Sequence, residues 1–338
     1  MFGSVPNFPT TSLRKTKRDC GSAGFGSMMR RCHRGNGERL EGRRLILPKR
    51  LGTASFEGKL MNTDSRQGHQ FSRSRTSGAV VYEDYRDNFA IWPGSEPALQ
   101  KFVNQTYGSQ RHKLRHTKSS NSEDALTWSC FDALKHLDET SRASALANLW
   151  ALAFDGVNAP AGLTGCKIIV GERYGKKGDE TEVDASIEGD GVLVFIEAKL
   201  YSSMSLKDKS KGKDYDQIAK KLRVGLKESQ RSGKEFYFII LDIAPKEALR
   251  TLEPHPSLKN AESAASGGFR GKWKTAFWFS RYKGMGGSVS PLREVLKDIP
   301  GVDAKAVARN MGWLTWPDIY KALLRALIAS GHLSASSR

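Results

Sequence analysis

Long apolar runs are missing from this chain. No stretch approaches the roughly 18 consecutive apolar residues of a membrane-spanning helix, and no apolar segment follows the basic N-terminus, so neither a membrane span nor a signal peptide is expected. Cysteine is scarce. Cys20, Cys32, Cys130 and Cys166 are the 4 present in 338 residues, too few and too scattered for a disulfide framework. They form no C-x-x-C or paired-histidine spacing, so zinc is not indicated, and Cys32 beside His33 reads as a chance neighbour. Reduced thiols in a cytoplasmic protein are expected. The GxxxxGK[ST] phosphate loop and the dinucleotide GxGxxG are both absent, and Gly284-Met-Gly-Gly287 fits neither spacing. Nor is there an internal repeat at a period of roughly 20 to 50 residues, which excludes a solenoid.

Acid is also in short supply. The 36 Asp and Glu face 54 Lys and Arg, a net charge of +18 that favours polyanionic partners such as nucleic acid. Residues 1–78 hold 16 basic and 5 acidic side chains, or +11, which leaves only +7 for the other 260 residues. This first segment is rich in Gly, Ser, Arg and Asn, and its one compact apolar cluster is Leu45-Ile46-Leu47. That cluster cannot offset the ordering entropy of so long a stretch, so a mostly disordered basic segment is expected, either a nucleic-acid-binding arm or a solvated tail. Residues 79–121 read as transitional, running from Val80-Val81-Tyr82 to the basic Arg111-His112-Lys113-Leu114-Arg115-His116. Residues 122–338 read as the folded domain.

Within that domain the apolar pattern changes period in an informative order. Leu126, Cys130, Phe131, Leu134 and Leu137 recur at helical spacing and predict a helix over 123–138 capped by Asn121 or Ser122. Ala145, Leu146, Leu149, Trp150 and Ala153 predict a second, capped by Thr140 or Ser141. Cys166 to Val170 is a short apolar run, Thr181 to Ile187 alternates, and Val192 to Lys199 is strongly apolar. With Glu188-Gly-Asp-Gly191 as a turn, residues 180–199 form a hairpin. Tyr215, Ile218, Leu222 and Leu226 mark a third helix ending before Gly233, and a buried strand follows at Phe236 to Ile243. Residues 251–272 read as a loop and Ala276 to Phe279 as a further strand. Pro317 opens a C-terminal helix whose apolar face is Ile319, Tyr320, Leu323, Leu324, Leu327 and Ile328. Trp273, Trp278, Trp313 and Trp316 are assigned to core packing. The expected class is α/β, a mixed central sheet flanked by helices.

One strand carries charge where charge is costly. In Phe195-Ile-Glu-Ala-Lys199, side-chain alternation puts Glu197 and Lys199 on one face, and a buried charge without a partner costs several kcal/mol. Asp184 lies 13 residues earlier, across the hairpin, where it can approach Glu197. Two converging carboxylates repel each other and call for a cation; with the Ala198 carbonyl they make an oxygen site suited to Mg²⁺ or Mn²⁺. Such an ion activates water and neutralises a phosphate, while Lys199 orients or deprotonates the nucleophile and stabilises developing charge. Phosphodiester hydrolysis is the chemistry this set specifies best.

Thr181-Glu-Val-Asp184 followed by Ile196-Glu-Ala-Lys199 resembles the signature of the PD-(D/E)XK, or restriction-endonuclease-like, nuclease superfamily. The resemblance covers about residues 122–280, without a proline before Asp184. It implies an αβββαβ core, a divalent metal held by Asp184 and Glu197, and a catalytic Lys199. It further implies an acid on the first core helix, for which Glu123 is the candidate and Asp124 the competitor, and a polar residue on the helix after the lysine strand, for which Gln217 stands. Glu182 shares a face with Asp184 and is an alternative to it. Lys207, Lys211, Lys213, Lys220 and Lys221 follow the catalytic strand and are candidates for neutralising phosphates. The expectation is therefore a Mg²⁺- or Mn²⁺-dependent nuclease with nucleic acid as partner, DNA favoured over RNA. Whether the chain dimerises is left open. The rivals are an inactive nuclease-like nucleic-acid-binding module and a scaffold protein with a structural acid–lysine network.

Overall fold

A computed structural model describes residues 71–74, 78–105, 112–202, 204–207, 214–251 and 274–333, all within one compact unit, Ala54–Arg338. The expected basic segment up to residue 70, residues 252–272 of the expected loop, Trp273, Lys211 and Lys213 lie outside the described residues. No helix among the described residues is long and apolar enough to cross a membrane.

The architecture is mixed α/β. Two short strands, β1 (Phe71–Arg73) and β2 (Val80–Tyr82), pair antiparallel, and helices α1 (Glu96–Val103) and α2 (His112–Thr117) follow. Then come α3 (Glu123–His136), α4 (Glu139–Ala153), β3 (Lys167–Tyr174), β4 (Thr181–Gly189), β5 (Val192–Ala198), α5 (Gln217–Ser232), β6 (Glu235–Asp242) and α6 (Ala248–Thr251). The C-terminal part holds α7 (Lys274–Lys283), α8 (Ser290–Leu296), α9 (Ala304–Arg309), β7 (Met311–Thr315) and α10 (Trp316–Ala329). The five strands β3 to β7 lie in sequence order, antiparallel from β3 to β5 and parallel from β5 to β7. Gly189 pairs with Val192, so β4 and β5 are joined by a two-residue turn whose Gly191 has φ of +65°, a conformation that favours glycine.

All seven residues of β5 are buried because the sheet is covered on both faces. Leu193 and Phe195 pack with Phe236, Phe238 and Ile240 of β6 beneath α5 and α7. Val194 and Ile196, pointing the other way, pack with α3, α4 and α10 through Phe131, Leu149, Trp150 and Ile319. Alternation therefore sends Glu197 and Lys199 toward the α5 side. A third, smaller cluster joins Phe89, Leu99, Phe102 and Val103 to Ala125 and Trp128 of α3, so residues from the transitional segment pack on the domain.

Several local expectations are corrected. Ala276 to Phe279 belong to α7 rather than a strand; Thr275 to Ser280 are all buried, so the run shows no period that would separate helix from strand. The N-cap of α4 is Asp138, whose carboxylate accepts from Ser141 N–H at 2.9 Å, not Thr140 or Ser141. On α10 the buried residues are Trp316, Ile319, Ala322, Leu323 and Ala326, while Tyr320, Leu324 and Ile328 are exposed. Small alanines let α10 lie close against α4, which turns the bulkier flank outward. Strand β7 was not anticipated at all.

Candidate functional site

The site forms where β4 and β5 part. Their backbone register ends with Ala185 opposite Ile196, and the next pair would set Asp184 against Glu197. Instead of continuing the ladder, Ala198 N–H donates to Asp184 Oδ2 at 2.7 Å, so the carboxylate replaces a backbone acceptor and is fixed beside Glu197. Lys199 is held by its backbone from two sides: its N–H donates to Leu241 O of β6 at 2.7 Å, and the Trp316 indole N–H of α10 donates to its carbonyl at 2.9 Å.

Five charged side chains converge there. Lys199 Nζ lies 2.7 Å from Glu197 Oε1, 2.9 Å from Ala198 O and 3.3 Å from Glu123 Oε1. Glu123 Oε2 accepts from Leu200 N–H at 2.8 Å and Ser202 Oγ at 2.6 Å, tying the start of the following loop to the helix. Lys221, one turn into α5, pairs with Glu197 Oε2 and lies 3.9 Å from Asp184 Oδ1. Glu197 and Lys221 are only 1% and 3% exposed, whereas the side chains of Asp184 and Glu123 are 20% and 22% exposed, so the cluster opens on one side.

Burial and mutual charge set the protonation states. Burial, with Asp184 adding repulsion, pushes the Glu197 carboxyl up to about 7. Burial also pushes Asp184 upward, but Lys221, Lys199 and the Ala198 N–H outweigh it and hold that carboxyl below its ordinary value. Lys199 would be lowered by burial, yet Glu197, Glu123 and Asp184 raise it well above the usual lysine range. It is an ammonium at neutral pH, a donor and a positive charge within the cluster. Asp242, ending β6 on the same face, is 1% exposed; burial raises it to about 7. Its Oδ1 accepts from Ile243 and Ala244 N–H, while Oδ2 has no hydrogen-bond partner among the described residues.

The remaining candidates separate cleanly. Asp124 and Glu182 do not replace Glu123 and Asp184. They belong to a neighbouring network in which buried Lys113 pairs with Glu182, lies 3.9 Å from Asp124 Oδ1, and stacks over the Phe102 ring at 3.8 Å. Burial raises Asp124 to about 6, with Lys113 opposing. Gln217 is engaged elsewhere, since its Oε1 accepts from Ser205 N–H at 3.2 Å and secures the loop at the start of α5. The α5 side chain inside the cluster is Lys221, read from sequence as a surface phosphate contact and here buried. Its position, four residues and one helical turn after Gln217 on the apolar stripe with Ile218 and Leu222, was a usable signal. Lys207 is exposed and Lys220 half-buried. Asp242 also went unremarked, although it closes an apolar strand much as Glu197 does.

Asp184 and Glu197 flank one cation, Lys221, while the Ala198 carbonyl between Glu197 and Lys199 in the chain accepts from Lys199 Nζ at 2.9 Å. That all-oxygen set fits a hard divalent ion that keeps several waters. Glu123 stands across Lys199 from this pair. Among the described residues, no group of three or more His, Cys, Asp or Glu is arranged to hold a metal ion.

Comparison with protein-family models, with curated proteins and with solved structures finds no match. Fold and site thus define the chain as a mixed α/β protein with a buried acid–lysine cluster at one end of its sheet.

Proposed function

We propose that this chain is a Mg²⁺- or Mn²⁺-dependent phosphodiester hydrolase acting on nucleic acid, DNA in preference to RNA, with a restriction-endonuclease-like core. One observation carries the reading: two carboxylates from adjacent strands flank a single cation, and a buried lysine two residues beyond the second carboxylate forms an ion pair with it. The order α3, α4, β3, β4, β5, α5, β6 supports the finer assignment of the core. Energetics support a functional origin too, because buried ion pairs seldom stabilise more than apolar replacements would, and strongly perturbed groups gather at working sites.

Asp184 and Glu197 would hold the ion, aided by the Ala198 carbonyl, and the chemistry such an ion would supply there is an activated water and neutralised charge on the scissile phosphate. Lys199, kept protonated, directs its ammonium at the phosphate and its attacking water and stabilises charge gained in the transition state. Glu123 fixes Lys199 by accepting from it and anchors the loop after β5 through Leu200 and Ser202.

A structural network is the second reading, favoured by the fact that each Glu197 oxygen already has a lysine partner. The two are separated by measuring DNA and RNA cleavage with Mg²⁺, Mn²⁺ or chelator, beside the Mn²⁺-induced melting shift, for wild type, Lys199→Ala and Glu197→Ala. Hydrolysis predicts that Glu197→Ala loses cleavage and melting shift together, while Lys199→Ala keeps the shift and loses the rate. Absence of cleavage with every ion, and of any shift in all three proteins, would establish the structural network instead.

A further inference from the structure

The two lysines of the cluster are not equivalent. Lys199 touches Glu197, Glu123 and the Ala198 carbonyl but makes no ion pair with Asp184. Among the described residues, Lys221 is the one amine paired with both Asp184 and Glu197. Its ammonium therefore occupies the space between the two carboxylates proposed to hold the metal.

Charge counting makes this placement consequential. With Glu197 ionised, as a metal ligand must be, Glu123, Asp184 and Glu197 against Lys199 and Lys221 sum to −1. A divalent ion added with both ammonium groups in place would leave the cluster at +1, whereas with Lys221 withdrawn from the pair the remaining four groups and the ion are neutral. Two cations a few ångströms apart in a weakly solvated site repel strongly. The backbone beneath Lys221 is pinned, because the α5 N-cap Asp216 accepts from Ala219 N–H at 2.9 Å and from the buried Tyr282 hydroxyl, and Ile218 and Leu222 are fully buried. Movement falls to the four-carbon stem, which can carry the ammonium toward the open side where Asp184 is partly exposed.

We propose that Lys221 is a resident counter-ion that competes with the divalent cation for the Asp184–Glu197 pair and thereby sets the metal affinity of the site. This rests on the metal-dependent reading above and makes Lys221 a positioning residue whose charge, not its packing, matters. The experiment titrates Mn²⁺ into wild type, Lys221→Met, Lys221→Arg and Asp184→Asn. It follows free Mn²⁺ by electron paramagnetic resonance and, in parallel, the Mn²⁺-induced melting shift.

Lys221→Met should bind Mn²⁺ at least about tenfold more tightly, about 1.4 kcal/mol, with a larger melting shift from a lower metal-free starting point. Lys221→Arg, which keeps the charge, should stay as weak as wild type, and Asp184→Asn should lose binding. If Lys221→Met is unfolded without metal, refolding by Mn²⁺ that fails with Lys221→Arg supports the same conclusion. Wild-type and Lys221→Met affinities that are equal, or weaker in the variant, overturn the competition while leaving the metal site standing. Lack of Mn²⁺ binding by all four proteins overturns the metal reading itself, and this inference with it.

Discussion

Asp242 offers a test of the site's electrostatics that needs neither substrate nor metal. Its carboxyl is raised from 3.8 to about 7, chiefly by burial, with Ala244 and Ile243 N–H and Lys199 opposing and Glu123 adding to the rise. A group with a raised folded value binds its proton more tightly in the native than in the unfolded state. Its stabilising contribution is therefore full below 3.8 and vanishes as pH climbs through about 7. Between pH 5 and pH 8 the loss is roughly 2 to 3 kcal/mol. Glu197, raised to about 7, and Asp124, raised to about 6, act in the same direction. Asp184 acts oppositely, but only below its ordinary value, and Lys199 and Lys221 change their contribution only above theirs, so none of these three disturbs the window. Urea unfolding in chelator should thus show the protein less stable at pH 8 than at pH 5. Asp242→Asn keeps a carboxamide oxygen for the Ile243 and Ala244 N–H groups while removing the charge. It should match wild type near pH 5 and exceed it by roughly 2 kcal/mol at pH 8. Identical pH slopes for the two proteins would refute the placement of a titrating buried carboxyl at the end of β6.

Lys199→Ala should slow single-turnover cleavage at least about a hundredfold, roughly 3 kcal/mol of barrier, with little change in substrate affinity, as gel-resolved cleavage and a binding titration would show. Ser122→Ala removes the acceptor for Ala125 N–H at 3.1 Å and should cost about 1 kcal/mol in denaturant unfolding, with a loss of cleavage rate because the neighbouring Glu123 is no longer held. Gly225→Ala would gain up to about 1 kcal/mol of helix propensity, but its Cβ overlaps the Phe236 ring, itself locked edge-on against Phe195. Overpacking of about 1 to 3 kcal/mol should win, lowering the melting temperature.

Much of the order of elements was legible in the sequence because it rests on local patterns. Helical spacing from Leu126 to Leu137, alternation from Thr181 to Ile187 and the glycine turn each encode one element within a few residues, and the structure follows them. Charge on a strand as apolar as Val192 to Ala198 drew attention to Glu197 and Lys199 for the same reason: burial makes an isolated charge so costly that its partners must be near. The aromatic run of α7 was not legible as a helix, since uniform burial over so short a run erases the period that separates helix from strand. Only the tertiary structure decided which carboxylates Lys221 reaches, that Glu123 rather than Asp124 reaches Lys199, and that Gln217 is committed to Ser205. The reach of Glu123 to Lys199 depends on the angle at which α3 meets the sheet. That angle is fixed by packing between residues 70 or more positions apart, as when Glu123 meets Lys199 or Trp316 meets the Lys199 carbonyl, and no local pattern records it.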